Sequence, residues 1–219
     1  MAHPTADSLA HNPVLIEVTR GPLVESRHRG VVAVADATGA LALELGDVRA
    51  PVYPRSAIKP LQALPFIETG AADRYGFQNR HIALAAASHS GTRAQVSAAG
   101  EMLAAIGLDE SALHCGTHVP SDEDEQRALL RTGSKPSPLH HNCSGKHAAM
   151  LTTACHLSAP IATYERADHC VQQRIRAVLE DMCGAQLTAD VCGIDGCSVP
   201  NWALPAASLA RAYARFGTG

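Results

Sequence analysis

Strand-like and helix-like patterns occupy separate parts of this 219-residue sequence, and the separation limits the folds open to it. Apolar, β-branched runs lie at 14–18, 31–35 and 40–45, with a turn at 36–39 between the last two. After Pro54 the periodicity becomes helical. An antiparallel meander followed by helices predicts an α+β fold. The predicted helices cover roughly 56–69, 95–106, 123–132, 144–157, 165–183 and 206–216.

Composition and charge exclude several classes of protein. Because 46% of the residues are apolar, the chain can bury a core, which predicts one domain over 13–219. The polar residues 1–12 predict a flexible tail. The formal charge of −3 and the lack of a Lys/Arg cluster predict no binding to nucleic acid or membranes. The amino terminus lacks the features of a signal peptide, and no stretch can span a bilayer, which predicts a cytoplasmic protein.

Lysine is scarce and cysteine is frequent. The chain has fifteen arginines but only three lysines, Lys59, Lys135 and Lys146. Since arginine supplies the positive surface charge, each lysine is a candidate for a role that needs a titratable amine. The odd number of cysteines, seven, and their irregular spacing do not suggest a disulfide framework. Some are then buried thiols, and two are candidate metal ligands.

The segment from Pro54 to Pro60 has a pattern suited to nucleophilic catalysis. Pro60 fits a helix only in its first turn, so a helix must begin near Ser56. Residues three apart share a helix face, which predicts that Lys59 Nζ reaches Ser56 Oγ as a base beside a nucleophile. The alternative is a capping serine beside a solvated lysine, because Ser-x-x-Lys is common by chance.

Three further loops are rich in side chains that can act as ligands. The loop Ser-His-Ser-Gly at 88–91 suits either a ligand loop or a helix cap. The dense loop 140–147 lacks the spacing of a phosphate-binding loop. A tight glycine turn presents Asp195 and Cys197. Cys197 can share a metal with Cys143 through soft thiolates, or both are simply buried thiols, since no Cys-x-x-Cys spacing is present.

Six short motifs lie along the chain. They are Glu-Val-Thr-Arg-Gly at 17–21, Val-Glu-Ser-x-His-Arg-Gly at 24–30, Pro-Arg-Ser-Ala-x-Lys-Pro at 54–60, Ala-Ser-His-Ser-Gly at 87–91, Asn-Cys-Ser-Gly-Lys-His at 142–147 and Asp-Gly-Cys-Ser at 195–198. The same motifs occur in the same order in the rhizobial-type L-asparaginase family, so the chain resembles that family from about Leu15 to Pro205. The resemblance implies a fold like that of serine β-lactamases and glutaminases, and hydrolysis of L-asparagine to L-aspartate and ammonia.

The resemblance also implies which residues act. Ser56 would be the nucleophile, Lys59 its base and Ser88 a second hydroxyl beside them. A Zn²⁺ ion would be bound partly by a deprotonated lysine, and the substrate would be held through its α-carboxylate and α-ammonium groups. The protein would be a homodimer. The implied zinc ligands are Cys143, Lys146 and Cys197, and the implied substrate-binding residues are Arg55, Asn142, His147 and Asp195.

Family members of this kind continue beyond residue 219 into further strands and another active-site lysine. The resemblance therefore implies a C-terminally shortened chain and an incomplete domain. Three alternatives stay open. A penicillin-recognising hydrolase also uses Ser-x-x-Lys, but the Cys143, Lys146 and Cys197 set has no role there. A glutaminase differs by one methylene in its substrate, and an inactive shortened chain would only bind zinc or a longer partner.

Overall fold

The structure is a computed structural model that describes residues 12–218. The predicted flexible tail lies outside the described residues except for Asn12, which is buried and accepts a hydrogen bond from the Asp47 backbone N–H at 2.8 Å. The single domain predicted over 13–219 stays a prediction. By contacts between Cα atoms the described chain divides into two compact units, the first formed by 12–54, 179–191 and 202–218 and the second by 55–178 and 192–201.

Helices and small antiparallel sheets both occur, which agrees with the predicted α+β class. The strands are β1 (Val14–Arg20), β2 (Leu23–Arg29), β3 (Val32–Ala35), β4 (Leu41–Leu45), β5 (Pro51–Val52), β6 (Cys192–Ile194), β7 (Pro200–Trp202) and β8 (Leu204–Pro205). The α-helices are α1 (Lys59–Gln62), α2 (Leu64–Glu68), α3 (Ala71–Arg74), α4 (Asn79–Ala85), α5 (Arg93–Ala105), α6 (Glu123–Thr132), α7 (Ser144–His156), α8 (Cys170–Cys183) and α9 (Ala206–Thr218).

The first strands form two separate hairpins, β1 with β2 and β3 with β4, so the predicted three-strand meander is wrong. The prediction missed β2 because its sequence, Leu-Val-Glu-Ser-Arg-His-Arg, is mostly polar and contains no apolar run like that of β1. Gly21, with a φ of 58°, makes the turn between β1 and β2. The predicted turn at 36–39 is confirmed, since Asp36 Oδ1 accepts the backbone N–H groups of Thr38 and Ala40.

Two prolines divide the helix predicted over 56–69. The segment becomes a 3-10 turn, Arg55–Ile58, followed by α1 and α2, with Pro60 and Pro65 near the starts of these helices. A proline is tolerated there because its missing N–H would have no partner in the helix. Helices α3 and α4 were not predicted, since they are too short to show a clear apolar period. Helix α8 begins at Cys170, later than predicted.

Helix α7 lies in the interior of the second unit. It packs against α2, α3, α4 and α5, and every residue from Ser144 to Ala154 is buried. Gly145 permits the close approach of α4, because a Cβ at this position would lie 2.6 Å from the carbonyl oxygen of Leu84. This packing holds the first turn of α7, and the functional side chains on it, in a defined place.

In the first unit, α9 packs against β3, and β5 pairs with β8. No helix within residues 12–218 has the length and apolar character needed to cross a membrane.

All seven cysteines carry free thiols, and those of Cys143 and Cys197 are buried in the second unit. Each of these two sulfurs therefore remains available to bind a ligand or to fill space in the core.

We expect Gly145→Ala to lower the free energy of unfolding by about 1–3 kcal/mol, because the added methyl group overlaps the Leu84 backbone. Gly100→Ala is the matched control in α5. Its new Cβ would meet only Leu139 Cδ1, at 3.9 Å, so a gain of about 0.5–1 kcal/mol in helix stability is expected. Urea unfolding followed by circular dichroism measures both. An unchanged midpoint for Gly145→Ala would show that α4 and α7 are not this closely packed.

Candidate active site

The side-chain amine of Lys59 lies at the centre of the candidate site. It is fully buried at the start of α1. Its Nζ donates hydrogen bonds to Ser88 Oγ at 2.9 Å and to the carbonyl oxygens of Asn142 at 3.0 Å and Ala87 at 3.3 Å. A buried amine needs such partners because an unpaired charge in a protein interior is costly. Lys59 thereby joins two loops that are distant in sequence.

The surroundings of Lys59 make its amine easier to deprotonate. Burial lowers the pKa of Lys59 from its ordinary value, and the Lys146 charge acts in the same direction, while the thiols of Cys143 and Cys197 oppose both. Only a neutral amine can accept a proton from a hydroxyl group. The arrangement therefore suits Lys59 to act as a general base, with Ser88 as the hydroxyl already bonded to it.

Ser56 lies on the exposed 3-10 turn that leads into α1. Between residues 12 and 218 the hydrogen bonds of Lys59 Nζ go to Ser88, Ala87 and Asn142, and none goes to Ser56. Lys59 is buried whereas Ser56 is exposed, and the hydrogen bond that the shared helix face predicted is not formed in the described chain. The role of Ser56 as nucleophile stays a prediction.

Arg55 and Asp195 form an ion pair, with Arg55 Nε 2.8 Å from Asp195 Oδ1. The Arg55 side chain is 65% exposed, and that of Asp195 is 10% exposed. Arg55 has a φ of 52°, a left-handed conformation that is unfavourable for a residue with a Cβ. Such strain persists only where surrounding contacts impose it, and it is common at functional sites. The structure thus brings together two residues that were predicted to bind opposite charges of the substrate.

Cys143, Lys146 and Cys197 converge in the core of the second unit, where all three are buried. Lys146 Nζ donates to Cys197 Sγ at 3.3 Å. A hydrogen bond from the Cys197 thiol, together with the charges of Lys146 and Lys59, lowers the pKa of Cys143 to about 6 against the opposing effect of burial. The same hydrogen bond and burial raise the pKa of Cys197 to about 11. Cys143 therefore loses its proton more readily than an ordinary thiol.

The donor set fits a zinc ion in its chemistry. Two sulfur atoms and one amine nitrogen are ligand types that zinc accepts, and zinc would replace the protons they now share. In the part of the chain that the structure describes, no group of three or more His, Cys, Asp or Glu side chains is arranged to hold a metal.

Asn142 and His147 are the two remaining predicted site residues. The carbonyl oxygen of Asn142 accepts from Lys59 Nζ and, at 3.3 Å, from the backbone N–H of His89. These contacts involve the Asn142 backbone and not its side chain. His147 is fully buried, and its Nδ1 is 2.7 Å from the Tyr164 hydroxyl oxygen. Contact of either side chain with the substrate stays a prediction.

Sequence reasoning missed two residues that support the site. His89 accepts the Gly91 N–H at Nδ1 and lies 2.8 Å from Ser144 Oγ through Nε2, so it fastens the 88–91 loop to the start of α7. The sequence pattern identified the loop that contains His89, but it did not predict the contact with Ser144. Tyr164 gave no signal at all, because it lies in an irregular segment, seventeen residues from His147.

Comparison with known proteins places these residues in a family. No protein of curated function matches the chain. The family model for L-asparaginase II matches residues 16–219, a range that includes all ten predicted site residues and both compact units. Because the match extends over nearly the whole chain, this protein belongs to the L-asparaginase II family.

Proposed function

We propose that this protein hydrolyses the side-chain amide of L-asparagine to L-aspartate and ammonia. Family membership supports an amide hydrolase. The observation that carries the proposal is the buried Lys59 amine, held 2.9 Å from Ser88 Oγ and with its pKa lowered by burial. A base of this kind beside a hydroxyl is what acyl transfer through a serine requires.

In the proposed mechanism Ser56 is the nucleophile. Its hydroxyl proton passes to Lys59, and Ser88, which is hydrogen-bonded to the lysine, lies on the route for that proton. The Ser56 oxygen attacks the amide carbon, and ammonia leaves with a proton returned by Lys59. Water then hydrolyses the resulting ester, which releases L-aspartate and restores the serine.

We further propose that Cys143, Lys146 and Cys197 bind Zn²⁺. The support is their donor chemistry, their burial and the lowered pKa of Cys143, which favours the thiolate that a metal needs. When bound, zinc would supply a positive charge that polarises a substrate carbonyl or holds the surrounding loops in place. The protein itself contributes Lys146, whose amine already lies against Cys197.

For the substrate, we propose that Arg55 binds the α-carboxylate and Asp195 the α-ammonium group. The two side chains now form an ion pair, with Arg55 Nε 2.8 Å from Asp195 Oδ1. An amino acid carries the same two charges, so it can replace this ion pair with two new ones. Asn142 and His147 complete the proposed surroundings of the substrate.

Two further proposals, a fold like that of serine β-lactamases and glutaminases and assembly as a homodimer, rest on the motif resemblance. A third, a place in the cytoplasm, follows the prediction made from the sequence. Each has its own direct measurement: a crystal structure for the fold, light scattering for the mass in solution, and cell fractionation for the location. None of the catalytic assignments depends on them.

The catalytic serines can be tested by substitution. We expect Ser56→Ala to lower ammonia release from L-asparagine by at least about 1000-fold, because it removes the proposed nucleophile. Ser88→Ala should leave measurable but reduced turnover, since a proton path is lost and the nucleophile is kept. The assay also includes L-glutamine and a chromogenic β-lactam, which distinguish an asparaginase from the two hydrolases considered as alternatives.

The opposite pattern would reassign the nucleophile. If Ser56→Ala keeps full activity and Ser88→Ala has none, Ser88 attacks the substrate. A diazoketone analogue of asparagine, followed by peptide mass spectrometry, identifies the alkylated serine directly. Ser97→Ala is the matched control, because Ser97 is remote from Lys59 and hydrogen-bonds Glu101 on α5.

Metal content provides a second test. We expect about one equivalent of zinc per purified chain, and near-complete loss of it in Cys143→Ser and in Cys197→Ser, because each variant removes a thiolate ligand. Cys170→Ser is the control, since Cys170 is an exposed thiol. Metal is measured by inductively coupled plasma mass spectrometry. Zinc retained at wild-type level in both core variants would disprove the proposed ligand set.

Substrate recognition provides a third test. We expect Asp195→Asn to raise KM for L-asparagine by about 10-fold or more, because loss of a charge-assisted hydrogen bond costs about 1.5–3 kcal/mol. Asp168→Asn is the control, since Asp168 is exposed and pairs with Arg166. Steady-state ammonia assays measure both. An unchanged KM for Asp195→Asn would mean that another group holds the α-ammonium.

A further inference from the structure

A chain of hydrogen bonds runs through the core beside the proposed zinc ligands. The backbone N–H of His114 donates to the Tyr164 hydroxyl oxygen at 2.8 Å, and that oxygen lies 2.7 Å from His147 Nδ1. Tyr164 and His147 are both fully buried. Their rings meet edge to face, with centroids 5.5 Å apart. An ion pair of 3.0 Å between His114 Nδ1 and Glu165 Oε2 flanks the chain.

The direction of the protons in this chain follows from the donor at its start. A backbone N–H can only donate, so Tyr164 uses one lone pair to accept from His114. The hydroxyl proton of Tyr164 then has a single acceptor within the described chain, which is His147 Nδ1. With Nδ1 accepting, the ring proton of a neutral His147 must reside on Nε2.

The second ring nitrogen of His147, Nε2, takes no part in this chain of hydrogen bonds. It is buried and has no hydrogen-bond partner of standard geometry among residues 12–218. A buried N–H without a partner is costly, so this atom is suited to donate to a ligand that enters the site.

We propose that Tyr164 is a positioning residue that fixes His147 in the Nε2–H tautomer, so that this ring nitrogen is the donor that His147 offers to the substrate. The inference rests on the proposed function only in placing His147 beside the substrate, because the tautomer follows from the hydrogen bonds alone. Tyr164 then acts through His147 and need not touch the substrate.

Nuclear magnetic resonance of protein labelled with ¹⁵N-histidine tests the tautomer. Cross-peaks from the ring carbon-bound protons to the two nitrogens distinguish the Nε2–H form from the Nδ1–H form and from the imidazolium. The His147 signals are assigned by their loss in His147→Gln. We expect the Nε2–H pattern for His147 in the wild-type protein as purified. An Nδ1–H pattern would overturn the proposal, and this measurement does not depend on whether any tyrosine variant folds.

A substitution tests the contact with Tyr164. Tyr164→Phe should change the His147 pattern toward a mixture of tautomers, and Tyr75→Phe is the matched control because no hydrogen bond involves the Tyr75 hydroxyl in the described chain. An unchanged His147 spectrum in folded Tyr164→Phe would disprove this contact.

Failure of this inference can be distinguished from failure of the proposed function. The tautomer is observed in the resonance spectrum without any substrate, whereas the proposed function is measured as ammonia release and zinc content of the wild-type protein. An Nε2–H tautomer in a protein without asparaginase activity supports the inference alone. Activity with an Nδ1–H tautomer overturns the inference and leaves the proposed function standing.

Discussion

The burial of the Lys59 amine governs the arrangement of the candidate site. Removing an ammonium group from water costs several kcal/mol unless polar partners replace the water. Here the partners are one hydroxyl and two carbonyl oxygens, from Ser88, Ala87 and Asn142. Since carbonyl oxygens cannot be moved independently of the backbone, both loops must keep their conformation for the amine to stay buried. The site is thus a consequence of how the core accommodates one polar group.

The first turn of α7 brings the other functional groups to that amine. Cys143, Lys146 and His147 are three and four residues apart and so share one side of the helix. Gly145 lies on the side of the helix that faces Leu84, where its lack of a side chain allows α4 to approach. The dense motif at 142–147 therefore combines two requirements, since one side of the turn carries the polar groups and another must lack a side chain. A helix this deeply buried can present thiols and an amine with little freedom to move.

Short polar and apolar patterns were enough to predict the general class of the fold. The turn at 36–39, the helix α7 and the last helix all follow from local signals such as turn residues, glycine and apolar period. The hairpin partner β2 was missed because its mostly polar sequence contains no apolar run like that of β1. The single helix predicted at 56–69 was divided at Pro60 and Pro65, which lie near the starts of α1 and α2.

The sequence by itself determined the family and supplied the candidate site residues, because six ordered motifs point to both without any coordinates. Only the tertiary structure decided how these residues pair. It joins Lys59 to Ser88 and not to Ser56, and it links His147 to Tyr164. The physical reason is that hydrogen-bond partners are chosen by distance and burial after the loops have packed. Spacing along the chain predicts only neighbours within one helix.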